Sequence, residues 1–353
     1  MPFMSVVEAL VSAGHSAPSG DNPQPWKFTW DSHHLAMAYD FPRNQGLTFP
    51  PGNPASLLAI GGAIENVVQA ADSLDLPVKV DLLESSQASL GQYANITCPD
   101  KSVDASNLNQ HPLVHRHCNR FPFKKEQIPA NCNQQLLSLV EGDARIAVYN
   151  HPETSADIAQ LIRAASEIRF QTKEVHEWLG RSLRFTKEDV KKADGLDIRT
   201  LGLPPGGKLF LKFISEWKRM SALNRVGAYK LLASIDAQLI KQAPALIAII
   251  APKGVSGFLD AGRLLTRAWI YLNSQGVAVH PYYVITDQLT RLREGGIPEA
   301  LMGQAESIEL QSSKFFELSG QETLCMLLRV GCPTKQAPRS LRLPLERVFT
   351  DLT

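Results

Sequence analysis

Cysteine is scarce in this chain and does not pair up: Cys98, Cys118, Cys132, Cys325 and Cys332 are odd in number and form no C-x-x-C. That pattern suggests neither a disulfide framework nor a zinc site, leaves no metal expected, and suits a reducing cytoplasm. Long apolar runs are missing too. The longest, 243–251, is interrupted by Pro244 and falls far short of the ~20 residues that cross a bilayer. No apolar stretch follows a basic start, so a soluble chain without a membrane partner is expected. Neither sign of charge dominates: 36 Lys and Arg against 35 Asp and Glu leave +1, no surplus to draw the chain onto nucleic acid or anionic lipid. G-x-S-x-G, H-E-x-x-H and G-x-x-x-x-G-K-[ST] are absent, which removes the usual serine hydrolase, zinc protease and P-loop readings.

What is present is ample apolar material, 44% of 353 residues, enough for one large domain or two medium ones with a full core. The stretch that organises the rest is 16–28, Ser-Ala-Pro-Ser-Gly-Asp-Asn-Pro-Gln-Pro-Trp-Lys-Phe. Three prolines and a glycine make it a poor helix or strand interior and predict a stiff loop. The Ser19 hydroxyl, the Asn22 and Gln24 amides and freed backbone groups are suited to a flat heteroaromatic ligand. The plainer alternative is a Pro-rich turn whose Trp26 plugs the core.

Periodicity predicts a helix over 5–13, strands over 27–30 and 35–39, coil over 42–54, a helix over 56–74 and a strand over 76–83. Gly61 and Gly62 inside that helix imply close approach of another helix or of a ligand. Helix then strand recurs at 257–274 and 277–284. A shift of 201 places Leu58 on Leu259, Gly61 on Gly262, Ser73 on Ser274 and Val78 on Val279, which suggests two related halves. Between them 154–241 reads as mostly helical: 155–169, 173–183, an N-terminal cap at Thr186 and a long helical region over 209–242, with a Pro/Gly break over 194–207. Such an insertion suits a lid over a cleft or a structural arm. Buried strands are expected at 245–251 and 324–330, with a loop over 331–342.

At 115–123 the chain reads His-Arg-His-Cys-Asn-Arg-Phe-Pro-Phe. On a helical turn, Arg116 and Arg120 share a face and suit a phosphate, or else form a solvated surface. Here a resemblance enters. Ala17-Pro18-Ser19, Asn22 and Gln24-Pro25-Trp26 are similar to the Ala-Pro-Ser-x-x-Asn-x-Gln-Pro-Trp signature of the nitroreductase family of FMN enzymes, and Arg116-x-Cys118-x-Arg120 resembles that family's Arg-x-Ser-x-Arg phosphate motif with cysteine in the serine position. The order, loop first and arginines about a hundred residues later, looks like a long fused branch in which one chain supplies both halves of a site.

The resemblance implies an α+β fold, with halves 1–110 and 111–353 that mimic a dimer and carry the helical insertion about 154–241. It implies one FMN per chain, held by Pro18, Ser19, Asn22, Gln24, Arg116, Cys118, Arg120, Arg342 and Arg339. Pro281, Tyr282 and Tyr283 resemble the turn against the isoalloxazine ring, where the tyrosines stack, cover or fill core. The activity implied is two-electron hydride transfer between NAD(P)H or a small organic substrate and an acceptor, by a monomer acting as pseudo-dimer or by a homodimer. The flavin carries the chemistry, so no catalytic side chain is assigned; His15, His111, His115, His117 and His280 are candidate proton donors. Two rival readings are an FMN-sequestering protein without turnover and an interaction protein with a degenerate site.

Overall fold

Alternation builds the first sheet. Along Trp26–Trp30 the two tryptophans and Phe28 are buried while Lys27 is exposed, the period-two pattern of a strand covered on one face. A tight turn follows, in which Asp31 Oδ1 accepts from the N–H groups of His33 (2.9 Å) and His34 (2.7 Å). The chain then returns antiparallel as His34–Tyr39. Gln92–Thr97 and the edge strand Lys79–Leu82 continue the sheet. On the other side Phe349–Asp351, from the tail, adds a parallel fifth strand against Trp26–Trp30. The computed structural model describes residues 3–44 and 49–353; of the coil expected over 42–54, positions 45–48 lie outside the described residues.

The second sheet repeats the strand order. Arg145–Tyr149, Ala245–Pro252, Glu322–Gly331 and Ala278–Tyr282 lie side by side, all antiparallel, as Trp26–Trp30, His34–Tyr39, Gln92–Thr97 and Lys79–Leu82 do in the first. In each sheet a 20-residue helix, Pro54–Ser73 or Val255–Ser274, connects the second strand to the edge strand, and in each the second strand slips register once, at Met37/Ala38 and at Ile249/Ile250.

The two long helices pack on each other, and their contact is reciprocal. A Cβ on Gly61 would lie 2.1 Å from the Leu259 carbonyl oxygen, and one on Gly262 would lie 2.3 Å from that of Leu58. These are the pairs that the 201-residue shift superposes. Only glycine leaves room for backbone to meet backbone there. Beside the crossing, buried Glu65 accepts from Arg267 (2.7 and 2.9 Å), which also reaches Glu141 (2.7 Å).

Where the first sheet has a three-residue turn, the second carries the insertion. Its helices are Pro152–Gln171, Lys173–Ser182, Lys187–Lys191, Gly207–Ile214, Trp217–Asn224 and Ala228–Lys241. Thr186 caps as expected, its Oγ1 accepting from the Asp189 N–H at 3.1 Å. The helical region over 209–242 is three helices, the last entered through Gly227 at φ +89°. The strand expected over 277–284 ends at Tyr282, because Tyr283 turns into the helical region and starts Val284–Glu294, whose Val284, Ile285 and Leu289 bury one face. The strand over 76–83 shortens to Lys79–Leu82. One apolar core runs from Val6–His15 through both long helices; a second fills the space between Pro152–Gln171 and the far face of the second sheet.

Candidate functional site

The 16–25 loop is held in a conformation that its residues do not favour alone. Asp21 (φ +62°), Asn22 (φ +68°) and Gln24 (φ +52°) are left-handed without being glycine, at roughly 1 to 3 kcal/mol each. Three anchors hold it. Ser19 Oγ accepts from the Gln24 N–H (3.0 Å) and its carbonyl from that of Asn22 (3.1 Å). Arg43, paired with Asp40, donates to the carbonyls of Pro23 (2.7 Å), Gln24 (2.6 Å) and Trp26 (3.1 Å). Trp26 does plug the core, and its Nε1–H donates to His15 Nδ1 (3.0 Å) while His15 Nε2 donates to the Leu343 carbonyl (2.9 Å). Pro18 packs toward Gly62.

Arg116 and Arg342 reach the loop from below. Arg116 donates to the Ser16 carbonyl (3.0 Å) with its guanidinium over the Trp269 ring at 4.7 Å. Arg342 donates to Asn22 Oδ1 (2.7 Å), the Ala17 carbonyl (2.9 Å) and the same Ser16 carbonyl (3.4 Å). Asn22 and Arg116 therefore belong to one cluster. The helical turn expected at 116–120 is corrected: Pro112–His115 ends there, and the chain runs extended, Cys118 bridging Val279 and the Asn119 N–H donating to the Val279 carbonyl at 2.9 Å. The 201-residue repeat did not reveal this; His117 and Asn119 are tied to Val255–Ser274 and the edge strand instead of to their own turn. In an extended segment positions i, i+2 and i+4 also share a face, so Arg116, Cys118 and Arg120 still line up.

Charge is the notable property of this cluster. Among the described residues no carboxylate is within ion-pair distance of Arg116, Arg120, Arg329, Arg339 or Arg342. Burial, then the neighbouring Arg342, pushes Arg116 down to about 9; burial, then Arg339, pushes Arg342 to about 10. The Nε atoms of Arg116, Arg329 and Arg342 are buried without a partner. Buried cations without counter-charge are expensive, so the arrangement calls for an anion. Arg339 sits at the rim, donating to the Val114 carbonyl. Arg120 reaches Thr200 of the insertion at 3.4 Å. The Cys118 thiol is pushed up by burial against the pull of Arg120 and Arg116 and remains neutral.

Arg329 was not anticipated: it lies in Glu322–Gly331, is 2% exposed, and donates to the Phe121 carbonyl at 2.7 Å. Its signal was available, a lone charge in an otherwise apolar buried strand.

Beyond Arg120 the walls become aromatic. Phe49 meets Trp178 and Tyr283 edge-on, centroids 5.9 and 6.1 Å apart, and lies against Gly20. His280 and Tyr282 follow on the edge strand, rings 4.4 Å apart, with His280 Nδ1 and Tyr282 Oη lacking partners. Burial, Arg329 and Arg120 keep His280 well below the usual imidazole range, and burial raises the Tyr282 phenol. Pro281 occupies the outer edge of the sheet, across from Leu328. Asp21 is pushed up by burial against the pull of Arg120. Of the other histidines, His111 caps Pro112–His115 through Nδ1 (3.2 Å), and the His117 ring hydrogen-bonds the His115 carbonyl through Nδ1 (2.9 Å).

The amides of the loop are engaged by backbone. Asn22 Nδ2 donates to the carbonyls of Ala193 (3.2 Å), Gly195 (3.2 Å) and Leu341 (3.0 Å). Gln24 donates to the Ala193 carbonyl (2.7 Å) and accepts from the Leu343 N–H (2.9 Å). The insertion thus closes over the loop.

These residues fit FMN in part. The partnerless guanidinium donors suit its phosphate and the aromatic walls its ring, whereas the Asn22 and Gln24 amides reach a ring only after the 193–195 segment releases them.

No family model matches the chain. Its fold is similar to that of solved nitroreductases. One with bound FMN from Bacteroides fragilis shares 11% identity, over 67% of this chain and 93% of that one, with a TM-score of 0.36; an FMN-dependent nitroreductase from Clostridium difficile R20291 shares 13%, over 67% and 96%, with a TM-score of 0.33. An iodotyrosine deiodinase bound to FMN and 3-iodo-L-tyrosine shares 12%, over 65% and 92%, with a TM-score of 0.35. At these scores no residue role passes from one protein to another. By sequence the chain is 24% identical over 281 residues, 78% of its length, to an uncharacterized protein of Mycobacterium tuberculosis (strain CDC 1551 / Oshkosh), and it spans 38% of that relative's length.

Proposed function

We propose that this chain is an FMN-dependent oxidoreductase of the nitroreductase family, its two related halves, 1–110 and 111–353, enclosing one flavin. The observation that carries the reading is the set of buried arginines without counter-charge gathered beneath a strained loop. Arg116 and Arg342 bind the phosphate, with Arg339 at the rim and the Cys118 face alongside. Asn22 and Gln24 orient the ring edge, and Ser19 and Pro18 keep the loop in shape. Tyr282 and Tyr283 wall the ring and exclude water. FMN bound there supplies two-electron hydride chemistry. His280, held neutral by burial and the neighbouring Arg329 and Arg120, is a poor cationic acid, so no side chain is assigned as proton donor. The reductant is NAD(P)H or a small organic substrate.

The test is the visible spectrum of the protein as isolated, then addition of NADH or NADPH without oxygen. A bound flavin that bleaches and is reoxidised by a nitroaromatic or quinone supports the reading. Colourless protein that takes up no added FMN refutes it. One observation favours a second reading, sequestration without turnover: the Ala193 and Gly195 carbonyls already occupy the loop amides. Flavin that resists both nicotinamides would support that alternative.

A further inference from the structure

Residues 203–241 present a surface unlike the rest of the chain. Seven of the fifteen large hydrophobic side chains left exposed among the described residues fall in these 39 positions, Leu209 at 73%, Val226 at 83% and Leu231 at 64% among them. The helical period sorts them on Gly207–Ile214. Leu209, Phe210 and Phe213 share an outward arc, Leu211 packs on the small cluster around Leu183, Leu196 and Ile198, and Ile214 is buried. Lys208 and Lys212, four apart, border the arc. On Ala228–Lys241, Leu231 and Ile235 repeat the arrangement beside Lys230.

Charge is equally uneven. The segment holds seven Lys and Arg against two acids, +5 in a chain that totals +1. Of those seven bases only Arg219 is in an ion pair among the described residues.

An arc of apolar side chains on short helices, rimmed by lysines outside any ion pair among the described residues, matches what anionic lipid recognises: rings and aliphatic chains enter the headgroup layer while the ammonium groups meet phosphate. We propose that the 203–241 face docks on the surface of an anionic lipid bilayer. The docking is peripheral, since no helix among the described residues is long and apolar enough to cross a membrane. A cleft of about 610 Å³ opens beside the same face, with Leu203 and Lys208 on one wall and Phe121, next to Arg120, on another. Docking therefore brings that cleft to the lipid.

The experiment is vesicle flotation of the whole chain with phosphatidylcholine alone or mixed with phosphatidylglycerol, at low and high salt. The expected result is flotation with the mixed vesicles only, reduced by salt. F210S/F213S and K208E/K212E each lower partitioning about tenfold or more, and Leu310→Ser, exposed elsewhere, leaves it unchanged. Circular dichroism verifies that the variants fold. Failure to float with phosphatidylglycerol, flotation that survives F210S/F213S, or a wild-type dimer that this variant dissociates while vesicles go unbound would each overturn the proposal; the last assigns the face to a second copy.

Discussion

His15 carries one tautomer in this fold. The Trp26 indole can only donate and the Leu343 carbonyl can only accept, so Nε2 bears the proton and Nδ1 stays bare. Protonating Nδ1 breaks the bond to Trp26, and burial pushes the group down to about 4. The unfolded chain, with histidine at roughly 6.5, binds the proton first; stability is full above that value and falls as pH drops toward 4, by about 3 kcal/mol. Thermal melts across this window should show the loss, and His15→Gln should flatten it.

Arg116 is the second residue with a signed expectation. Arg116→Gln removes a buried cation without a counter-charge, so the flavin-free protein should melt no lower than wild type, while FMN should bind about tenfold or more weakly by fluorescence titration. A purely structural arginine would give the opposite pair of results. The loop and the Arg116/Arg120 pair were legible in the sequence because their motif spacing is short. Arg329 is marked only by being the one base in an otherwise apolar strand, and nothing local marks the pairing of Asn22 with Ala193 and Leu341, 171 and 319 residues away.

At the scale of elements, the helix crossing is the most exacting contact. Gly262→Ala forces a Cβ to within 2.3 Å of the Leu58 carbonyl and should cost about 2 to 4 kcal/mol in denaturant unfolding. Gly61→Ala should cost a similar amount and the double variant less than the sum, because both relieve one crossing. Helices and strands were largely visible through periodicity. Segment 116–120 was not: arginines four apart share a face in a helix and in a strand alike, and what decides between them is the backbone of Val279, remote in sequence. The edge strand ended early for a comparable reason, as Val284 and Ile285 fit either period until Leu289 extends the helical one.

For the whole molecule, repeated strand order and the reciprocal crossing support one duplicated plan, and a single loop with a single arginine set predicts one FMN per chain. The ratio of flavin absorbance to protein concentration measures it; a value near two would contradict the enclosure of one flavin by both halves. The near-zero total charge concealed the +5 of 203–241, since a sum over 353 residues says nothing of where the charges stand. The longest-range consequence concerns synthesis. Trp26–Trp30 is made some three hundred residues before its neighbour Phe349–Asp351 and the Leu341 and Leu343 backbone that holds Asn22 and Gln24. Until residues 341–351 are made, the sheet edge beside the loop is therefore unpaired and open to wrong partners, and the loop lacks the anchors that hold its two amides.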